Sequence, residues 1–256
     1  MASAVLLLSA CGASINGGVK SIPVVPTNAL TGLPGKNGPV LFVKIDDTQA
    51  AHPQIGLDSA DVIYIEQVEG GLTRLAAVFS NTLPPQIGPV RSARISDIDL
   101  MANYGRVGMA FSGAQSLFLP VLRAANIEDI GADTEPASIY SRDPTRSAPT
   151  NLVLDPTALL HKSIAVEKRA IVSAKSVGWK FGLLPVGGTA IQSAQVKWPA
   201  GKYQAVWSKG RQRWKMMYDG SPDVAANKEG WRTQLNPIRR HIRRSVIHHL
   251  PSLPSL

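Results

Sequence analysis

The chain has 256 residues, 44% of them hydrophobic and 18% charged, so it can bury a sizeable core in one or two domains and is not disordered throughout. A single cysteine excludes a disulfide framework and a cysteine-rich metal cluster, and no apolar run reaches the ~18 residues a spanning helix needs. The net charge of +9 invites a nucleic-acid reading, so its distribution matters before its size. Residues 1–150 carry a net −3, residues 151–230 a net +7, and the last stretch, Trp231 to Leu256, a net +5 from arginines alone.

The chain opens on a short apolar run, Ala4-Val5-Leu6-Leu7-Leu8, followed by Ser9-Ala10-Cys11-Gly12. An apolar stretch ending in small residues is a secretory-signal pattern. Leu8-Ser9-Ala10-Cys11 resembles the bacterial lipobox, in which the Cys becomes the first mature residue and takes lipid on sulfur and nitrogen. Residues 1–11 are therefore expected to be a lipoprotein signal peptide with Cys11 as the lipidation site, since several acyl chains together anchor stably. No Lys or Arg precedes the run, which places the expected true start upstream of Met1. Residues 12–38, rich in Gly, Pro, Ser, Thr and Asn and without apolar periodicity, are expected to be a flexible tether.

Residues 39–175 carry the pattern of a main α+β domain. Pro39 to Ile45 is a β-rich run that delivers Asp46 and Asp47 at its end. A second strand, Val62 to Ile65, meets Glu66, and Glu69-Gly70-Gly71 makes a turn in which glycine relieves the cost of positive φ. Thr73-Arg74 leads into a third strand, Leu75 to Phe79. A sheet of these three gathers Asp46, Asp47, Glu66, Glu69 and Arg74 near one rim. Gly88 to Arg94 is a turn bearing Arg91 and Arg94, and Ser96-Asp97 caps a helix through Tyr104. A strand over Val107 to Phe111 and a helix over Leu117 to Ala125, with Pro120 at its start or at a kink, come next. The polar loop Ser141 to Asn151 brings Arg142 and Arg146, and Asp155-Pro156 starts a helix with Asp as N-cap and Pro at the first position. Residues 176–230 turn to β, with strands expected over Thr189 to Trp198, Tyr203 to Trp207 and Gln212 to Tyr218. Residues 231–256 are a basic tail, disordered or the product of a frameshift.

Ile45-Asp46-Asp47, Pro53 to Val62, Val68-Glu69-Gly70-Gly71-Leu72-Thr73-Arg74 and Gly88-Pro89-Val90-Arg91-Ser92-Ala93-Arg94 resemble the YerB-like family of bacterial lipoproteins, over roughly residues 30–230. The two Gly-Arg segments together carry the specificity. The family is known by domain-of-unknown-function labels for an N-terminal and a C-terminal part. The resemblance implies an α+β fold, a layered mixed sheet with packed helices, in an envelope lipoprotein, and it supplies no catalytic residues. Two departures stand out. The family's loop tends to carry His where Thr150 precedes Asn151, and a threonine cannot shuttle protons. The family also continues past a turn like Asn227-Lys228-Glu229-Gly230 into an apolar strand, where this chain enters Arg-His-Pro-Ser-Leu text. A frameshift or early stop accounts for that better than a dedicated basic arm.

Two functions compete. In the first, Arg74, Arg91, Arg94, Arg142 and Arg146, with Asn151, bind an anionic envelope polymer or protein partner, as guanidinium forks suit phosphate and carboxylate. In the second, Asp46, Asp47, Glu66 and Glu69 include an acid/base pair of a hydrolase or transferase acting on the cell wall. The first is preferred, because the chain has no Gly-x-Ser-x-Gly elbow, no His-Glu-x-x-His and no phosphate-cradling loop. A structural Asp/Glu–Arg network is the bland reading of the same residues. No cofactor or metal is expected: the carboxylate spacing matches no EF-hand, and the five His show no ligand spacing with carboxylates. The expected location is the outer face of the cell membrane, through the lipid anchor. Nucleic acid is not an expected partner.

Overall fold

In the computed structural model the described residues are 26–181, 187, 190–211 and 213–223. Strand β1 (Leu41–Asp46) is buried along its whole length. A strand covered on both faces reads as a near-continuous apolar run rather than an alternation, and Leu41 to Ile45 does so except at Lys44. It lies at the centre of a five-stranded mixed sheet. On one side β2 (Val62–Gln67) and β3 (Thr73–Phe79) continue it antiparallel, with β3 next to β1. On the other side helix α1 (Ser96–Ala102) leads to β4 (Val107–Ala110), and α2 (Leu119–Ala124) leads to β5 (Ile127–Asp129). Both of these strands run parallel to β1, and a parallel step needs such a crossover.

Alternate residues of β1 enter two cores. Leu41, Val43 and Ile45 pack with Leu57, Ile87 and Val90, under the two-stranded ribbon of β6 (Tyr140–Arg142) and β7 (Leu152–Leu154) and helix α3 (Pro156–Leu160). Val40 and Phe42 pack on the opposite face with Leu100 and Met101 of α1 and Leu122 of α2. The mixed sheet is thus a middle layer with helices on one side and ribbon and helix on the other, the layered α+β fold expected. Asp155 caps α3 as expected, its Oδ1 accepting from the Ala158 N–H at 2.9 Å. Pro120 sits in the first turn of α2.

A second, antiparallel sheet follows, ordered β11-β10-β9-β8: β8 (Ser193–Trp198), β9 (Gly201–Ser208), β10 (Arg213–Tyr218) and β11 (Ser221–Pro222). Tyr203, Ala205, Trp207 and Trp214 form its buried face, with Trp207 and Trp214 edge-on at 5.4 Å.

Several expectations shift. The tether over 12–38 gives way to packed structure from residue 26. Asn28 is fully buried, donating from Nδ2 to the Lys36 carbonyl at 2.6 Å and to Ser80 Oγ at 3.0 Å, and Leu30 is 2% exposed within the helix-side core. One buried leucine in a polar segment produces no periodicity, so the packing was not visible. In α1 the cap differs: neither Ser96 nor Asp97 caps by side chain from the position ahead of the helix, where Ile95 stands. Asp97 lies inside the first turn and turns inward to Lys44. The β5 pairing and the β6–β7 ribbon were not anticipated, since three-residue strands carry too little pattern. Cys11, residues 12–25 and the basic tail 231–256 lie outside the described residues. Leu30→Ala is expected to cost about 2–5 kcal/mol, read from the urea midpoint; an unchanged midpoint would show that this segment does not belong to the fold.

Candidate functional site

The carboxyl end of β1 carries three ionisable side chains that are all buried, Lys44, Asp46 and Asp47. Isolated ions in such a position would cost several kcal/mol each, so the surrounding elements must supply partners. Lys44 Nζ reaches Asp97 Oδ1 of α1 at 2.8 Å and is also bonded to Glu66 of β2. Burial pushes the Lys44 ammonium below its ordinary range, with Asp97 opposing that shift. Asp46, two residues on and therefore on the same face of the strand, is held by arginines instead. Its Oδ1 lies 3.2 Å from Arg74 Nη1 and its Oδ2 lies 2.9 Å from Arg91 Nε. The β1–β3 register places Asp46 opposite Arg74, and the β2–β3 register places Glu66 opposite the same arginine.

Asp47, one residue beyond the strand, points into a cleft of about 540 Å³ between the first sheet and the second. Its carboxylate accepts from Thr73 Oγ1, from Gln54 Nε2 at 3.2 Å and from the phenol of Tyr203 at 2.5 Å. His52, on the loop after β1, lies between two carboxylates, with Nε2 3.3 Å from Asp47 Oδ1 and Nδ1 3.3 Å from Asp223 Oδ1. Its ring stacks on Tyr218 at 4.7 Å with 21° between planes. Burial by itself would lower the imidazole pKa, but the bonds to Asp223 and Asp47 outweigh it and raise it to about 9. Burial and the neighbouring carboxylates push the Tyr218 phenol up as well. Leu72, Asp219 and Ser221 also line the cleft.

The second sheet is docked through this cluster, since Tyr203, Tyr218 and Asp223 all come from it. A backbone bond joins the two sheets beside it, from the Ala200 N–H to the Gly71 carbonyl at 3.1 Å. Gly71 holds φ at 73°, and a Cβ there would meet Pro199 at 2.8 Å. Only glycine meets both conditions.

The sequence-predicted residues divide by role. Asp46, Asp47, Glu66, Arg74 and Arg91 do converge at the end of β1, whereas Glu69 is 74% exposed and pairs with Arg94 at 2.8 Å. Arg146 donates to the Ala51 carbonyl at 3.0 Å and the Pro53 carbonyl at 2.6 Å, bracing the His52 loop. Arg142 is exposed at the end of β6, bonded to Asn151 Oδ1 at 2.8 Å. Thr150 is buried and donates to the Ser147 carbonyl at 3.0 Å. Each of the five arginines therefore has an internal partner. Sequence reasoning missed Lys44, His52, Asp97, Tyr203, Tyr218 and Asp223. Lys44 left one trace, a lone charge inside an apolar β run. His52 was set aside because no carboxylate stands at a ligand spacing from it; the two that bracket it lie 5 residues before it and, through the second sheet, 171 after it.

The chain belongs to a family defined as a protein of unknown function, DUF3048, whose N-terminal domain matches residues 30–171. Among individual proteins it is similar to YerB of Bacillus subtilis (strain 168), which its name describes as a lipoprotein, with 42% identity over 52 residues. That segment covers 20% of this chain and only 16% of YerB. The crystal structure of the Bacillus subtilis YerB protein superposes with a TM-score of 0.66 at 19% identity, covering 79% of this chain and 70% of that one. The YerB-like membership and the α+β fold expected from the sequence are both borne out.

The imidazolium clamp has a pH signature. A group whose pKa is raised on folding stabilises fully below its unfolded value of 6.5, and that stability is lost as pH rises through about 9. The stability of the parent chain, read from its urea midpoint, is expected to fall across this window by an amount on the order of a few kcal/mol. His52→Gln should flatten the fall; a fall of the same size in that variant would remove His52 as its cause.

Proposed function

We propose that the chain is an exported, lipid-anchored protein of the bacterial cell envelope that binds a partner in the cleft between its two sheets, with Cys11 carrying the anchor. The anchor reading rests on the lipobox resemblance and on the lipoprotein name of YerB. Binding rather than chemistry is supported by one observation above others. Both ring nitrogens of the cleft histidine are turned to carboxylates at 3.3 Å, and those bonds raise its pKa to about 9. A general base needs a free lone pair and a pKa near the working pH, and His52 has neither. Asp47 accepts from Gln54, Thr73 and Tyr203 and lies 3.3 Å from His52, contacts that fix its position.

The ligand class follows from the walls. Asp47, Thr73 and Asp223 are buried and spent on internal partners, so the groups the wall offers are the Asp219 carboxylate and the Thr48 and Ser221 hydroxyls. Such a lining suits a hydroxyl- or amine-bearing stretch of a wall polymer or of a protein partner. The anionic-partner expectation draws no support from the arginines, which are held by Asp46, Glu69, Asn151 and backbone carbonyls.

Two measurements test this reading. Ser221→Trp fills the mouth of the cleft from an exposed position, and it is expected to abolish cosedimentation with purified cell-wall sacculi while near-UV circular dichroism is unchanged. Parent-like capture by this variant, or release of soluble fragments from labelled wall by the parent, would overturn binding at the cleft. Incorporation of labelled palmitate in the native host should vanish in Cys11→Ala, and label that persists would refute the anchor.

A further inference from the structure

The second sheet has a face that the cleft does not use. Residues opposite one another in an antiparallel pair share a face. The pairs Lys197↔Lys202, Val206↔Lys215 and Ser208↔Arg213 therefore put four cations on the side away from Tyr203, Trp207 and Trp214. Lys197, Val206 and Arg213 are exposed, and Lys202 and Lys215 are half-buried. Between residues 190 and 223 the only acids are Asp219 and Asp223. Asp223 is turned to His52, and Asp219 spends Oδ1 on the Lys202 backbone N–H at 2.8 Å. None of Lys197, Lys202, Arg213 and Lys215 has an ion-pair partner among the described residues. Lys197 and Lys202 face each other directly across the strands, an arrangement that destabilises a sheet unless something outside neutralises it.

We propose that this face rests on an anionic lipid bilayer. Three of its four cations are lysines, which are hydrated point charges rather than the planar forks that select individual phosphate groups. Val206, 37% exposed, stands among them. An exposed valine opposite Lys215 and diagonal to Arg213, with the Lys197–Lys202 pair farther along the same face, fits the membrane interface, where the valine meets the acyl boundary and the lysine stems reach up to headgroups. A β-sheet face is broad and shallow, which matches a planar surface better than a single polymer strand. Each cation near such a surface strengthens binding about fivefold, and a basic patch adds to a lipid anchor, which holds best with a second signal. The face acts on the opposite side of the sheet from the cleft, so it does not depend on what the cleft binds.

The test uses the full chain carrying Cys11→Ala, so that no acyl group contributes. Its sedimentation is measured with mixed phosphatidylglycerol–phosphatidylcholine vesicles and with pure phosphatidylcholine. Binding is expected only to the mixed vesicles and should weaken as salt screens the charges. Changing Lys197, Lys202 and Lys215 together to Gln should lower partitioning on the order of 100-fold, since about fivefold per lysine compounds. A parallel pair of chains in which Arg239, Arg240, Arg243 and Arg244 are Gln should show the same drop, separating the sheet from the tail. If the triple variant does not fold, the exposed edge-strand change Lys197→Glu should lower partitioning about 25-fold, as one cation is lost and one anion gained. Equal binding by variant and parent overturns the proposal. So does equal binding to neutral vesicles, or binding to soluble poly(glycerol phosphate) without binding to the mixed vesicles.

Discussion

Charge on a fully buried strand is the constraint around which this molecule is arranged. Lys44 and Asp46 sit within the central strand and Asp47 just past it, all inside a structure that would reject them unpaired. Their partners come from β2, β3, α1, the Arg91 loop and the second sheet. The ends of most of the elements near the site are thus tied to one strand end. Breaking such a pair from one side leaves the other charge stranded, which is costlier than never having built it. This explains why residues that look like a reactive set are held so tightly.

The same logic joins the two sheets. Asp47 cannot complete its hydrogen bonds within the first sheet, so Tyr203 arrives from the second and His52 bridges to Asp223. A docking built from a carboxylate, an imidazolium and a phenol leaves a polar hollow beside it rather than a dry seam. The cleft is a by-product of how the sheets are fastened, and its acidic lining follows from the carboxylates that do the fastening. The basic residues of the second sheet lie on its other face.

Much of the fold was legible. The strand starting near Leu41, the hairpin that gathers Glu66 and Arg74, the glycine turn at Gly70-Gly71 and the Asp155 cap all follow from local rules that need no distant partner. The Glu66–Arg74 part of the rim was legible for the same reason, because β2 and β3 inherit their register from a short turn, whereas Asp46 joins it through the non-local pairing of β1 with β3. Glu69 was misjudged because adjacency in sequence to that turn does not make a side chain point inward. His52 was invisible as a site residue because its meaning depends on Asp223, which reaches it only when the second sheet docks.

The net charge of +9 looked like a property of the whole chain, and it is better understood as three regions of different character. Sequence alone determined the family, the layered α+β class, the central strand and the charges at its end, since periodicity, turn chemistry and motif spacing are local. Tertiary structure alone decided which of those charges are spent on holding the sheets together and which face outward. That choice depends on the pairing of residues far apart in the chain, and the energy of a buried charge is set by what lies within a few ångströms of it, not by its neighbours in sequence.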